Sequence, residues 1–174
     1  MKRFLVFIAI VAVAGVATTV VRAQSAPMTE AHIERIRSHC VEAQSSLRQV
    51  HASDALLRVN RGQLYESIST KLMAPLDSRI AASKQDGGKL AETAATYERQ
   101  LAEFRANYQT YEEAMSKTLQ INCTNQPVAF YDSVADTRNK RGIVYDNSQS
   151  LQRTIQAYSK QFDDFAKKVQ EDAQ

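Results

Sequence analysis

Apolar positions between residues 90 and 118 recur with a heptad rhythm. Leu90, Ala94, Tyr97, Leu101, Phe104, Tyr108, Tyr111, Met115 and Thr118 alternate steps of four and three. That spacing keeps them on one stripe of an α-helix, and the Glu, Lys, Arg, Gln and Asn between them cover the remaining faces. The pattern predicts one long amphipathic helix over about residues 89–121. Upstream, Ile33, Ile36, Cys40, Ala43, Leu47, Val50, Leu57, Leu64, Ile68, Leu72, Leu76 and Ile80 mark a second stripe, interrupted at Asp54 and Arg61. They predict helix over about 29–83, with Thr29 as N-cap and Glu30 in the first turn. Pro75 implies a kink at Met73-Ala74 or the opening of a new segment, and His51-Ala52-Ser53 is a second candidate break. Downstream, Tyr131, Val134, Arg138, Arg141, Tyr145, Ser148, Leu151, Ile155, Tyr158, Phe162, Phe165 and Val169 keep near-regular spacing and predict a third helix over about 128–171.

Two connections separate these stripes. Gln85-Asp86-Gly87-Gly88 reads as a tight reversal for which adjacent glycines supply backbone freedom. Cys123-Thr124-Asn125-Gln126-Pro127 reads as the second, with Pro127 suited to opening the next helix. Short links between long amphipathic helices favour antiparallel neighbours. The expected fold is therefore all-α: an elongated up-down-up three-helix bundle or coiled-coil-like assembly, one domain over 27–174.

Residues 1–26 are read separately. Lys2 and Arg3 precede a continuous apolar run from Phe4 to Ala17 that extends through Val20 and Val21. This is the pattern of a signal peptide, with Val21-Arg22-Ala23 as a cleavage site, or of a retained N-terminal anchor crossing a bilayer through residues 4–21. In both readings the basic end stays cytoplasmic and the rest is translocated. The leader also explains the charge. The chain has 22 Lys+Arg against 19 Asp+Glu, and Lys2, Arg3 and Arg22 account for the whole excess. The remaining chain is formally neutral and has no clustered basic tail, which argues against nucleic acid as a partner. Outside the cytoplasm the two cysteines, Cys40 and Cys123, are expected to pair as a disulfide; in the cytosol they would be two buried thiols. Their separation of 83 positions would make the link worth roughly 3–5 kcal/mol on the chain-entropy model.

One pattern occurs twice. Arg58-Val-Asn-Arg61-Gly62-Gln-Leu-Tyr65-Glu66 matches Arg138-Asn-Lys-Arg141-Gly142-Ile-Val-Tyr145-Asp146 at an offset of 80. Folding the chain at the two predicted reversals puts Arg58 level with about residues 113 and 137, so both copies would fall at one height opposite Glu112 and Glu113. The expectation is a polar layer of Asp54, Arg58, Arg61, Tyr65, Glu112, Glu113, Arg138, Arg141 and Tyr145. Such a layer fixes helix register, or binds an anionic or carbohydrate group in a groove. A structural layer predicts that Arg61→Ala and Arg141→Ala each lower thermal stability. Gly62 and Gly142, unfavourable inside helices, would mark close helix approach or a local bend.

Other chemistry is not signalled. His32, His39 and His51 lack the spacing of a metal site. No phosphate loop, nucleophile elbow or cofactor motif is present, so neither an enzyme nor a cofactor is expected. The seven tyrosines fall mostly on the seams and are first of all core residues.

Cys40-Val-Glu-Ala-Gln through His51-Ala-Ser-Asp-Ala-Leu-Leu-Arg-Val-Asn-Arg-Gly62, and again Asn122-Cys-Thr-Asn-Gln-Pro-Val-Ala-Phe-Tyr-Asp132, resemble uncharacterised small exported helical proteins of Saccharibacteria-type bacteria. The resemblance covers most of the chain beyond the leader and implies an envelope location without implying an activity. The long helical arms of periplasmic holdase chaperones offer a second, architectural likeness. The expected role is a non-enzymatic exported or membrane-tethered interaction module of the cell envelope that binds a protein partner or itself. The rival is a chaperone-like or sensor-like domain for a client or small ligand, which would show a concave pocket or a broad apolar patch.

Overall fold

A computed structural model describes residues 28–172 of the chain. All regular structure among them is helical: α1 (Glu30–Ser38), α2 (Cys40–Ser67), a π-helical turn (Ile68–Met73), α3 (Ala74–Ala82), α4 (Gly88–Gln120) and α5 (Pro127–Asp172). The signal or anchor segment predicted over 1–26 lies outside the described residues. Among the described residues no helix is long and apolar enough to cross a membrane.

The first arm starts where its capping chemistry predicts. Thr29 is extended, and its hydroxyl accepts from the His32 amide at 3.4 Å. A turn at His39 separates α1 from α2, whereas α2 runs unbroken through His51-Ala52-Ser53, so the second break expected there is absent. Pro75 acts through the backbone ladder. It has no N–H to give the carbonyl four residues back, and just before it the ladder widens to the π pattern, the Ala74 amide reaching the Ser69 carbonyl. The arm therefore passes Pro75 as continuous helix with one overwide turn, and the proline sits in the first turn of α3.

The first reversal differs from expectation in mechanism. The residue with positive φ is Lys84 (57°), and no described glycine has one. Gly87 is needed for space instead, because a Cβ there would run into the Ile80 side chain. At the second connection Asn122 Oδ1 accepts from the Thr124 and Asn125 amides at 3.1 and 3.0 Å, and Pro127 opens α5.

Helices α4 and α5 form the closest pair. The Asn107 amide donates to Asn147 at 2.8 Å, and the Thr154 hydroxyl to Gln100 at 2.7 Å. Near the far end Thr118, fully buried, shares hydroxyl contacts with Ser133 and Thr137 at 2.6 and 2.8 Å. The first arm lies antiparallel to α4: Cys40 reaches Cys123, Asp54 reaches Tyr111, and Tyr65 meets Tyr97 and Phe104. Cys40 and Cys123 stand at disulfide distance, their Cα atoms 5.5 Å apart. Beside them the Gln44 amide closes the Ile121 carbonyl at 2.8 Å.

The core falls into three apolar clusters: one around Tyr97, Leu101 and Leu151, one around Tyr108, Tyr111 and Met115, and one around Cys40, Cys123 and Phe130. The α4 seam is buried nearly as its spacing predicts. On the other arms the seam is displaced. In α5 the buried row begins with Pro127, Phe130 and Thr137, so Tyr131, Arg138 and Tyr145 lie one position off the row and are exposed. In α2 the inward residues are Cys40, Asp54 and Tyr65, while Val50, Leu57 and Leu64 are exposed. At about 100° per residue those three lie roughly a sixth to a quarter of a turn away from the row that faces α4. The interruption at Asp54 is thus the inward position itself.

A candidate arginine-lined cleft between three helices

Asp54 is the centre of the polar layer. Its carboxylate accepts from Tyr111 Oη at 2.7 Å, from Arg141 Nε at 2.6 Å and from Arg141 Nη2 at 2.9 Å, so this α2 side chain is joined by one from α4 and one from α5. Tyr111 is fully buried, and only about a tenth of the Asp54 side chain is accessible. A carboxylate in that position must be paired, and the planar guanidinium supplies the two-pronged match. Burial pushes the Asp54 carboxyl up, but the hydrogen bonds from Arg141 and Tyr111 outweigh it and hold the group below the ordinary carboxylate range. Its hydrogen bond to Asp54 raises Arg141 further, and burial together with that same carboxylate raises Tyr111.

A second group adjoins it. His51 Nε2 contacts Glu112 Oε1, and Glu112 also accepts from Tyr108 Oη at 3.0 Å. Burial, then Glu112, push the Tyr108 phenol up to about 12. Arg58 closes one face of Tyr108, its guanidinium carbon 5.0 Å from the ring centroid, a stacking arrangement that suits arginine.

Beyond Asp54 the first arm stands off from the α4–α5 pair: residues 56–61 are all exposed. The gap is a cleft of about 470 Å³. Asp54, Leu57, Arg58 and Arg61 form one wall, Phe104, Tyr108 and Tyr111 the floor, and Arg138, Arg141, Gly142, Val144, Tyr145, Ser148 and Gln149 the other wall. Four arginines and a single carboxylate therefore line the cleft. Arg141 is neutralised by Asp54, while Arg61 and Arg138 have no ion-pair partner among the described residues.

The repeated pattern is brought into one place, but with a different register from that expected. Arg141 lies level with Asp54 and not with Arg61, so the two copies are slipped by about two helical turns. The extra residue of the π turn shifts the first arm in this direction, and α5 is displaced the same way along α4, since Asn107 pairs with Asn147 and Gln100 with Thr154, further along α5 than a reversal centred near residue 125 would place them. Glu112 joins the layer through Tyr108 and His51. Glu113 does not: it is exposed and accepts from Gln109 at 3.3 Å. Tyr65 is buried outside the cleft, edge-on to Phe104. Tyr145 is 63% exposed on the cleft rim. Gly62 and Gly142 have no atom within 4 Å of an added Cβ, so neither serves close helix approach. His51, Tyr108 and Tyr111 belong to the layer as well; the tyrosines carried a seam signal, and His51 stood out only as a candidate break and a histidine without metal spacing.

Among the described residues no group of His, Cys, Asp and Glu is arranged to hold a metal ion. The arrangement sets arginine side chains above an aromatic floor, a chemistry that suits anionic groups. No family model matches the chain, and no curated protein or solved structure matches it.

Proposed function

We propose that this chain is a non-enzymatic, exported helical binding module, an up-down-up three-helix bundle whose cleft takes an anionic ligand. The observation that carries this reading is the convergence of Arg58, Arg61, Arg138 and Arg141 on one cleft that holds a single carboxylate. A layer serving register alone would neutralise its charges as Asp54 does Arg141, whereas Arg61 and Arg138 have no ion-pair partner among the described residues. The cysteine pair at disulfide distance and the leader-like run of residues 4–21 support an oxidising, extracytoplasmic setting, with the leader either cleaved or kept as a membrane tether. An interaction scaffold, binding a protein partner or itself, is the second reading. It is favoured by large apolar side chains left exposed on the first arm, Val41, Leu56 and Leu72 among them.

Calorimetric titration of the purified protein with citrate, galacturonate, dextran sulfate and neutral dextran tests the proposal. Binding of anionic members and not of neutral dextran is expected, together with its loss in Arg58→Gln/Arg61→Gln. The exposed pair Lys167→Gln/Lys168→Gln is the control for net charge and should leave binding unchanged. Failure of every anion to bind, or equal loss in both double variants, would overturn the reading.

A further inference from the structure

The slipped register changes what the cleft can hold. Had the two arginine pairs been level, four guanidinium groups would surround one point and suit one compact anion. They are strung out instead. Arg141 is level with Asp54 through their ion pair, and Arg58 lies further along, level with Tyr108. Within each pair the arginines are three residues apart, about 4.5 Å at 1.5 Å per residue. The order along the cleft is Arg138, Arg141, Arg58, Arg61. The α5 wall runs from Arg138 to Gln149, about 16 Å of helix. A volume of about 470 Å³ spread over that length describes a slot for a chain and not a bowl for a compact molecule.

The remaining lining narrows the chemistry. All three walls are helix, whose backbone donors and acceptors are used internally. An extended peptide would find no backbone partners there, in contrast to its addition at a sheet edge. The slot offers side chains only: guanidinium forks that match acid groups two-pronged, the ring of Tyr145, and the Ser148 hydroxyl and Gln149 amide. Aromatic faces with scattered hydroxyl and amide groups suit the alternating C–H and O–H surfaces of sugar rings. At Gly142 the wall is open, with space where any other residue would project.

Resting on the anion-binding reading above, we infer that the ligand is a linear acidic oligosaccharide lying lengthwise in the slot. Its acid groups meet Arg138, Arg58 and Arg61 in turn, and its chain passes over Gly142. The acid can be a carboxylate or a sulfate, since both fit the guanidinium fork.

The test is a length series on the purified protein. Oligogalacturonates and heparin-derived oligosaccharides from dimer to octamer supply the two acids, with galacturonate as monomer and polyphosphate as a sugar-free polyanion. Affinity for at least one oligosaccharide series is expected to rise at least tenfold with length and then level off once the slot is filled. Polyphosphate is expected to bind at least tenfold more weakly. Gly142→Leu is expected to abolish the gain with length while melting at the wild-type temperature or above. A monomer as tight as the octamer, polyphosphate as tight as either series, or unchanged binding by Gly142→Leu would each overturn the inference. So would absence of oligosaccharide binding. Continued binding of citrate in any of these cases would leave the anion-binding reading standing, whereas loss of every anion would remove both.

Discussion

Replacing Asp54 by alanine removes the one acceptor shared by all three arms. Three hydrogen bonds disappear with it: Tyr111 Oη at 2.7 Å and Arg141 Nε and Nη2 at 2.6 and 2.9 Å. They do not weigh equally. The Arg141 side chain is about half exposed and can turn into water, so its share is screened and worth about 1 kcal/mol. Tyr111 is 1% exposed, and its hydroxyl is left buried without an acceptor at about 1–3 kcal/mol. The expected loss is therefore about 2–4 kcal/mol, or a fall in Tm of about 4–16 °C for a chain of this size. Thermal and urea unfolding, with the cysteine pair oxidised throughout, measure it. A double-mutant cycle with Arg141→Ala should return a coupling of about 1 kcal/mol. The pH dependence has a definite sign. The folded carboxyl titrates below its unfolded range of about 3.9, so its contribution is fully present above that range and is lost as pH falls through the folded value. The gap between wild type and Asp54→Ala should hold at neutral and mildly acidic pH and close only in stronger acid. A change within about 0.5 kcal/mol, typical of ordinary surface sites, would refute the assignment of Asp54 as the buried link.

Further outcomes follow from the same geometry. Arg61→Ala should leave Tm within the surface range of about 0.5 kcal/mol, because Arg61 is exposed and without an ion-pair partner, in contrast to Arg141→Ala; equal losses from both would show the layer to be structural throughout. Cys40→Ser/Cys123→Ser should lower stability by up to about 4.5 kcal/mol by the entropy of an 83-residue loop, and mass spectrometry of the non-reduced protein should find two fewer hydrogens than after reduction; free thiols would contradict the pairing. Gly142→Ala should be neutral or stabilising by up to about 1 kcal/mol, since it gains helix propensity without a contact. Gly87→Ala should destabilise by about 1–3 kcal/mol because Ile80 fills the space; equal behaviour of the two glycine variants in calorimetry would show that the distinction between them is false.

Helical class, the two reversals, the Thr29 cap, Pro127 at a helix start and the α4 seam were all readable from residue order. Each depends on neighbours within a few positions. Periodicity, capping oxygens and proline geometry act over one or two turns, and a sequence displays that range directly. The cysteine pair was readable for a different reason, since only one pairing of two is possible.

What residue order left open was which side of each arm turns inward and how far one arm slides along another. In α2 the leucine and valine row at 50, 57 and 64 carries the stronger hydrophobic signal, yet Asp54 and Tyr65 face the partner helices. In α5 the rings of Tyr131 and Tyr145 carry far more apolar surface than Thr137, yet Thr137 is buried because Thr118 waits opposite it. A residue's own character sets the energy of burying it alone, whereas a hydrogen-bond partner from another arm can reverse that preference by several kcal/mol in a dry site. The slide of one arm past another is likewise a sum over distant contacts, altered by a single overwide turn before Pro75. Sequence by itself determined that the chain forms helices and where they reverse. Tertiary structure alone decided that four arginines line one slot in a staggered row, because that stagger depends on contacts between residues tens of positions apart.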